Sequence, residues 1–99
     1  MQTIVVTGST RGIGHGLARE FLTRGHKLVV SGRSQDSVDA GLSRLEALGE
    51  VIGKPCNVGD RSAVQALWDF AVARFGRVDI WINNAALAPD HSLFAEIPG

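Results

Sequence analysis

The chain has 99 residues, 44% of them hydrophobic and 20% charged, enough for one small folded unit and too apolar for a disordered one. Ten basic residues balance ten acidic ones, so the formal net charge is zero. That balance removes the electrostatic footprint of a nucleic-acid binder or of a protein held on an anionic membrane.

Thr3–Thr7 (TIVVT) is a short, apolar, β-branched run ending at Gly8, and it predicts a fully buried strand. From Gly12 to Arg24 the spacing turns helical, with Ile13, Leu17, Phe21 and Leu22 on one face and Gly25 as the stop. Lys27–Ser31 (KLVVS) predicts a second buried strand, closed by Gly32 and Arg33. Ser34 or Asp36 can cap the next helix, which carries Val38, Leu42, Leu45 and Leu48 and ends at Gly49. Glu50–Cys56 predicts a third, weaker strand, interrupted by Gly53 and Pro55. Asp60 caps a helix with Val64, Leu67, Trp68, Ala71 and Phe75 on its inner side, stopped by Gly76. Val78–Ile82 (VDIWI) is the fourth strand, with Trp81 expected in the core, and Asn83–Gly99 reads as loop. Strands alternating with helices of about a dozen residues mark βαβ units and a parallel sheet. Right-handed crossovers then give an α/β, doubly wound architecture with helices on both faces.

Between the first strand and the first helix stands Thr7-Gly8-Ser9-Thr10-Arg11-Gly12-Ile13-Gly14. A pyrophosphate concentrates negative charge and must come close to backbone N–H groups. Glycines at 8, 12 and 14 remove the Cβ atoms that would block it, and the helix beginning near Gly12 offers free N–H groups and the positive end of its dipole. The place of this loop, after a strand, opening a helix and inside a βαβ unit, is the context a dinucleotide site requires. Ser9 and Ile13 are expected to add a hydroxyl or a backbone N–H.

The end of the second strand selects the dinucleotide. A carboxylate there would hydrogen-bond a ribose 2′-hydroxyl and repel a 2′-phosphate. Here the segment reads Ser31-Gly32-Arg33-Ser34, with no acid before Asp36. A guanidinium binds a phosphate bidentately, and Arg11 in the glycine loop is a second cation within the same region. Two arginines and no carboxylate predict NADP.

The spacing Thr-Gly-x-x-x-Gly-Ile-Gly resembles the short-chain dehydrogenase/reductase family, and two further segments carry the likeness. Asn83-Asn84-Ala85-Ala86 resembles the family's Asn-Asn-Ala-Gly, with Ala86 in place of the glycine. Asn57-Val58-Gly59-Asp60 resembles its Asp-Val-x-Asp, with Asn57 in place of the first Asp. An amide oxygen still accepts a hydrogen bond from an adenine amine. The resemblance implies a Rossmann-type sheet in the order 3-2-1-4. It also implies cofactor contacts from Gly8, Ser9, Arg11, Gly12, Ile13, Gly14, Arg33, Asn57, Val58, Asn84 and Ala85.

The family's reaction passes hydride between nicotinamide and a carbonyl or alcohol carbon, using a Tyr, a Lys four residues later, a Ser and an Asn, all beyond the region covered here. The 99 residues contain no tyrosine. The expectation is therefore the NADP-binding portion, residues 1–99, of one Rossmann domain, without catalytic residues and inactive alone. A small-molecule substrate would be met only in a longer form. A non-catalytic NADP-binding module and a non-functional remnant are the other readings. The ending LFAEIPG resembles the lead-in to the family's next helix, and an unpaired VDIWI edge would favour association. The family's habit implies a homo-oligomer. Within the family, GSTRGIGHGLAREFL, SGRSQDSVD and DIWINNA are most similar to chlorophyll(ide) b reductases and their bacterial relatives.

The remaining residues receive ordinary roles. Cys56, the one cysteine, excludes an internal disulfide and is expected in the core. His15, His26 and His91 lack metal-ligand spacing, and Asp69, Asp79 and Glu96 form no carboxylate pair, so neither a metal nor an acid–base site is expected. Without an apolar run near the roughly 20 residues that span a bilayer, and without a basic leader, the protein is expected to be soluble and cytoplasmic.

Overall fold

The computed structural model describes residues 1–84. Four strands and three helices alternate: β1 (Thr3–Val6), α1 (Gly12–Thr23), β2 (Lys27–Gly32), α2 (Gln35–Leu45), β3 (Val51–Pro55), α3 (Arg61–Phe75) and β4 (Ile80–Ile82). All strand pairs are parallel, and the sheet order is β3-β2-β1-β4, as predicted. Residues 85–99, including Ala85, Ala86, His91 and Glu96, lie outside the described residues.

Side-chain alternation along the two central strands builds two cores. Ile4 and Val6 of β1 with Leu28 and Val30 of β2 face Ala18, Leu22 and Leu45, which places α1 and α2 on one face. Val5 and Val29 face Leu67 and Ala71, which places α3 on the other. Being apolar on both faces, β1 and β2 read as continuous runs and not as alternating ones.

Local chemistry sets the helix ends. Ser34 accepts from the Ser37 N–H in a reciprocal capping box that starts α2, so the cap is Ser34 and not Asp36. The Asp60 carboxylate accepts from the N–H groups of Ser62 and Ala63 at the start of α3, and Gly76 ends that helix in the left-handed conformation.

Three packing expectations need correction. On α1 the buried residues are Gly14, Ala18 and Leu22, while Ile13 is 70% exposed. The helix lies close to the sheet, and small residues make that contact possible. Trp68 is 42% exposed at the rim of α3 and not in the core; it stacks, with ring centroids 6.0 Å apart, on Trp81, which is half-buried and packs against the α3-side core as expected. β3 is not interrupted: it is an edge strand, where Pro55 omits one donor without breaking a central ladder. Gly53 lets α2 approach, since a Cβ there would stand 2.8 Å from Val38 Cγ1.

Candidate functional site

The C-terminal ends of four parallel strands meet along one rim, where ligands bind in open α/β sheets. The topology reverses between β1 and β4, and the segments leaving these strands are bound together. The Thr7 N–H donates to the Ile82 carbonyl at 3.0 Å. The Asn84 N–H donates to Thr7 Oγ1 at 2.9 Å, and its side-chain amide donates to the Gly8 carbonyl at 3.0 Å.

The loop from Gly8 to Gly14 owes its shape to its glycines in two ways. Gly8 and Gly12 have positive φ, 61° and 65°, which a side chain rarely adopts. Gly14 serves close approach instead. A Cβ there would stand 2.4 Å from both Asn84 Nδ2 and the Gly8 carbonyl oxygen. The glycine loop and the segment after β4 are thus one packed unit.

Ser9 holds the turn from within. Its hydroxyl donates to the Val6 carbonyl at 2.6 Å and accepts from the Ser31 N–H at 3.1 Å, while its own N–H donates to the Ser31 carbonyl at 2.9 Å. Ser9 is fully buried, and its side chain shapes the loop from within. This differs from the hydroxyl contact expected of it. Ile13, expected on the apolar face, is instead exposed beside the loop.

The start of α1 differs electrostatically from the other two helix starts. Ser34 and Asp60 satisfy the first N–H groups of α2 and α3, whereas Arg11 at the N-cap of α1 gives no side-chain cap, and no acid occupies the first turn. The N–H groups of that turn and the helix dipole together favour an anion. A Cβ built on Gly12 would meet no atom within 4 Å, so the approach is open. A dinucleotide pyrophosphate fits these donors and this opening.

Arg11 and Arg33 are both exposed at this rim, Arg33 directly after the last residue of β2. Asn57, exposed after β3, folds into a tight turn in which its side-chain oxygen accepts from the Gly59 N–H at 3.0 Å. An amide oxygen has a second lone pair available to a ligand. Val58 packs beneath against the α3-side core. Cys56 is buried, and its N–H donates to the Gly32 carbonyl at 3.0 Å, which ties β3 to the Arg33 segment. Burial first, and then the nearby Asp60 carboxylate, push the Cys56 thiol pKa up, against a smaller opposing pull from Lys54.

The sequence reading missed Thr7 as a bridge and Ser9 as an internal brace. The available signal was a pair of hydroxyl residues closing a fully buried strand, since buried hydroxyls require partners. Among the described residues no group of three or more His, Cys, Asp or Glu side chains could hold a metal ion, and no helix is long and apolar enough to cross a membrane. The shallow depression lined by Met1, Leu22, His26 and Leu48 precedes β2 and lies away from the glycine loop.

Known proteins share this arrangement. The chain is 44% identical over 85 residues to the chloroplastic chlorophyll(ide) b reductase of Oryza sativa subsp. japonica, covering 83% of this chain and 25% of that one. It is 36% identical over 93 residues to the tropinone reductase-like 3 protein of Erythroxylum coca, covering 93% and 36%. Among solved structures, the F189W variant of actinorhodin polyketide ketoreductase with NADPH superposes with a TM-score of 0.85 at 32% identity, over 98% of this chain and 37% of that one. A hydroxysteroid dehydrogenase from Escherichia coli gives 0.82 at 32% identity, over 86% and 37%. The chain therefore spans about a quarter to two fifths of the length of these relatives. The short chain dehydrogenase family matches residues 2–98, and together with the rim geometry this places the chain in that family.

Proposed function

We propose that residues 1–99 form the NADP(H)-binding portion of an oxidoreductase domain that passes hydride between NADPH and a carbonyl or alcohol carbon of a small molecule. The observation that carries the choice of cofactor is Arg33, exposed immediately after β2 where a carboxylate would mark NAD, with the next acid at Asp36 in the first turn of α2.

In this reading the pyrophosphate rests on the N–H groups of Gly12, Ile13 and Gly14, and the 2′-phosphate meets Arg33 and Arg11. Asn57 and Val58 border the adenine, Asn84 follows the cofactor along the β1–β4 reversal, and Ala85 is a further expected contact. Gly8 and Ser9 shape the loop without offering side chains. The solved actinorhodin ketoreductase with NADPH supports this choice, although a related 7 alpha-hydroxysteroid dehydrogenase was solved with NADH. The preference for NADP therefore rests on the arginines and not on the fold.

The cofactor supplies the hydride when bound. The residues of this chain bind and orient it, and a sequence without tyrosine offers no family-type proton donor. In this reading the chemistry, the small-molecule substrate and any homo-oligomer would belong to a form of the domain that carries the family's proton donor. A cytoplasmic setting agrees with a free, buried cysteine.

The test is Arg33→Ala. NADPH affinity should fall roughly tenfold or more, the loss of a charge-assisted contact, while NADH affinity changes little. Equal losses for both cofactors would remove the 2′-phosphate assignment.

A further inference from the structure

Thr10 stands in the glycine loop between Gly8 and Arg11, and it packs against two glycines, Gly32 and Gly41. A Cβ at Gly32 would lie 2.7 Å from Thr10 Cγ2, 3.0 Å from Thr10 Oγ1 and 2.8 Å from Ser37 Oγ. At Gly41 a Cβ would lie 3.3 Å from Thr10 Cα and 3.5 Å from its Cβ and Cγ2. Both glycines are buried, and neither has a positive φ, so the backbone conformation does not require glycine at either position. Their missing side chains make a slot, and Thr10 fills it.

The slot sits at the junction of the two cationic segments. Arg11 follows Thr10, and Arg33 follows Gly32, so the Thr10–Gly32 contact is one residue from each guanidinium-bearing position. Ser37, the third group at the contact, belongs to the capping box that starts α2 immediately after Arg33. We infer that Thr10 is a positioning residue for 2′-phosphate recognition: seated in the Gly32–Gly41 slot, it sets the placement of Arg11 relative to Arg33. This rests on the NADP reading above, and it adds what holds the two arginines in register.

Packing of this kind is sensitive to a single methyl group, because a filled interior yields by shifting its neighbours. Gly41→Ala adds one methyl in the middle of α2, where alanine is also the better helix former. A purely structural role for the slot predicts an unchanged ratio of NADPH to NADH affinity.

The experiment titrates the 99-residue chain and its variants with NADPH and with NADH and records thermal unfolding alongside. The wild type should prefer NADPH. Gly41→Ala should leave the chain cooperatively folded, yet lower that preference about tenfold, the loss of one charge-assisted hydrogen bond. Gly32→Ala should lower it further, and Thr10→Ser in the Gly32→Ala background should restore part of it by removing the Cγ2 methyl nearest the new Cβ. A wild type without NADPH preference overturns the cofactor reading and this inference with it. A wild-type preference that Gly41→Ala leaves unchanged, or equal loss for both cofactors, overturns the positioning role alone. If Gly32→Ala does not fold, the Gly41→Ala comparison decides.

Discussion

The Asn84 side-chain amide donates to the Gly8 carbonyl at 3.0 Å, directly over the place where Gly14 lacks a side chain. This contact joins residues 76 positions apart, and it closes the β1–β4 reversal around the loop that begins α1. Asn84→Ala leaves the partly buried Gly8 carbonyl without that donor and should lower stability by about 1–2 kcal/mol, read from urea unfolding. Gly14→Ala is the harsher change, because its Cβ would collide with the Gly8 backbone oxygen, which a side-chain rotation cannot relieve. It should abolish cooperative unfolding of the chain or severely lower its midpoint.

A second prediction concerns pH. The Asp79 carboxylate accepts from the Thr3 N–H at 2.8 Å and from the Arg77 guanidinium. The Thr3 N–H first, and then Arg77, hold its pKa below the usual 3.8. A carboxyl depressed by folding stabilises the native state above its unfolded pKa, and the contribution is lost as pH falls through the folded value. Wild type should therefore exceed Asp79→Asn in unfolding midpoint near neutral pH, and the difference should shrink as the pH falls below about 4. A constant difference down to pH 3 would remove this ionic role.

The Trp68–Trp81 stack gives a third. Both rings sit between α3 and β4, and the Trp81 indole N–H donates to Asn83 Oδ1 at 2.8 Å. Trp68→Ala should cost about 1–2 kcal/mol, since a half-exposed aromatic pair contributes stacking and limited burial. The native circular dichroism should show an exciton couplet that the substitution removes. A couplet that survives in Trp68→Ala would mean that the rings do not stack.

Much of this was legible in the sequence, for reasons that individual residues make plain. TIVV and LVV are strands buried on both faces, so unbroken apolar runs mark them clearly. Asp60 and Gly76 bracket α3 because a carboxylate satisfies free N–H groups and glycine accepts a left-handed turn. Other features escaped, because periodicity weighs hydrophobicity and neither distance nor hydrogen bonding. Ile13 looked like core, yet the contact of α1 with the sheet is so close that Gly14, Ala18 and Leu22 occupy it. Strand β4 starts at Ile80 and not Val78, because the Asp79 carboxylate is spent on capping the Thr3 N–H. At the site, the glycines, arginines and Asn57 were legible as residue types with evident chemistry. The inward roles of Thr7, Ser9 and Thr10 were not, since only tertiary packing decides whether a hydroxyl faces a ligand or a neighbouring strand.

The most direct test of the central claim is a titration of the isotope-labelled 99-residue chain with NADP, followed residue by residue through its amide NMR resonances. The account predicts saturable shifts at Gly12, Ile13 and Gly14, at Arg33 and at Asn57, all on the strand-end rim. An absence of shifts, or shifts confined to the opposite depression around Leu22, His26 and Leu48, would contradict it.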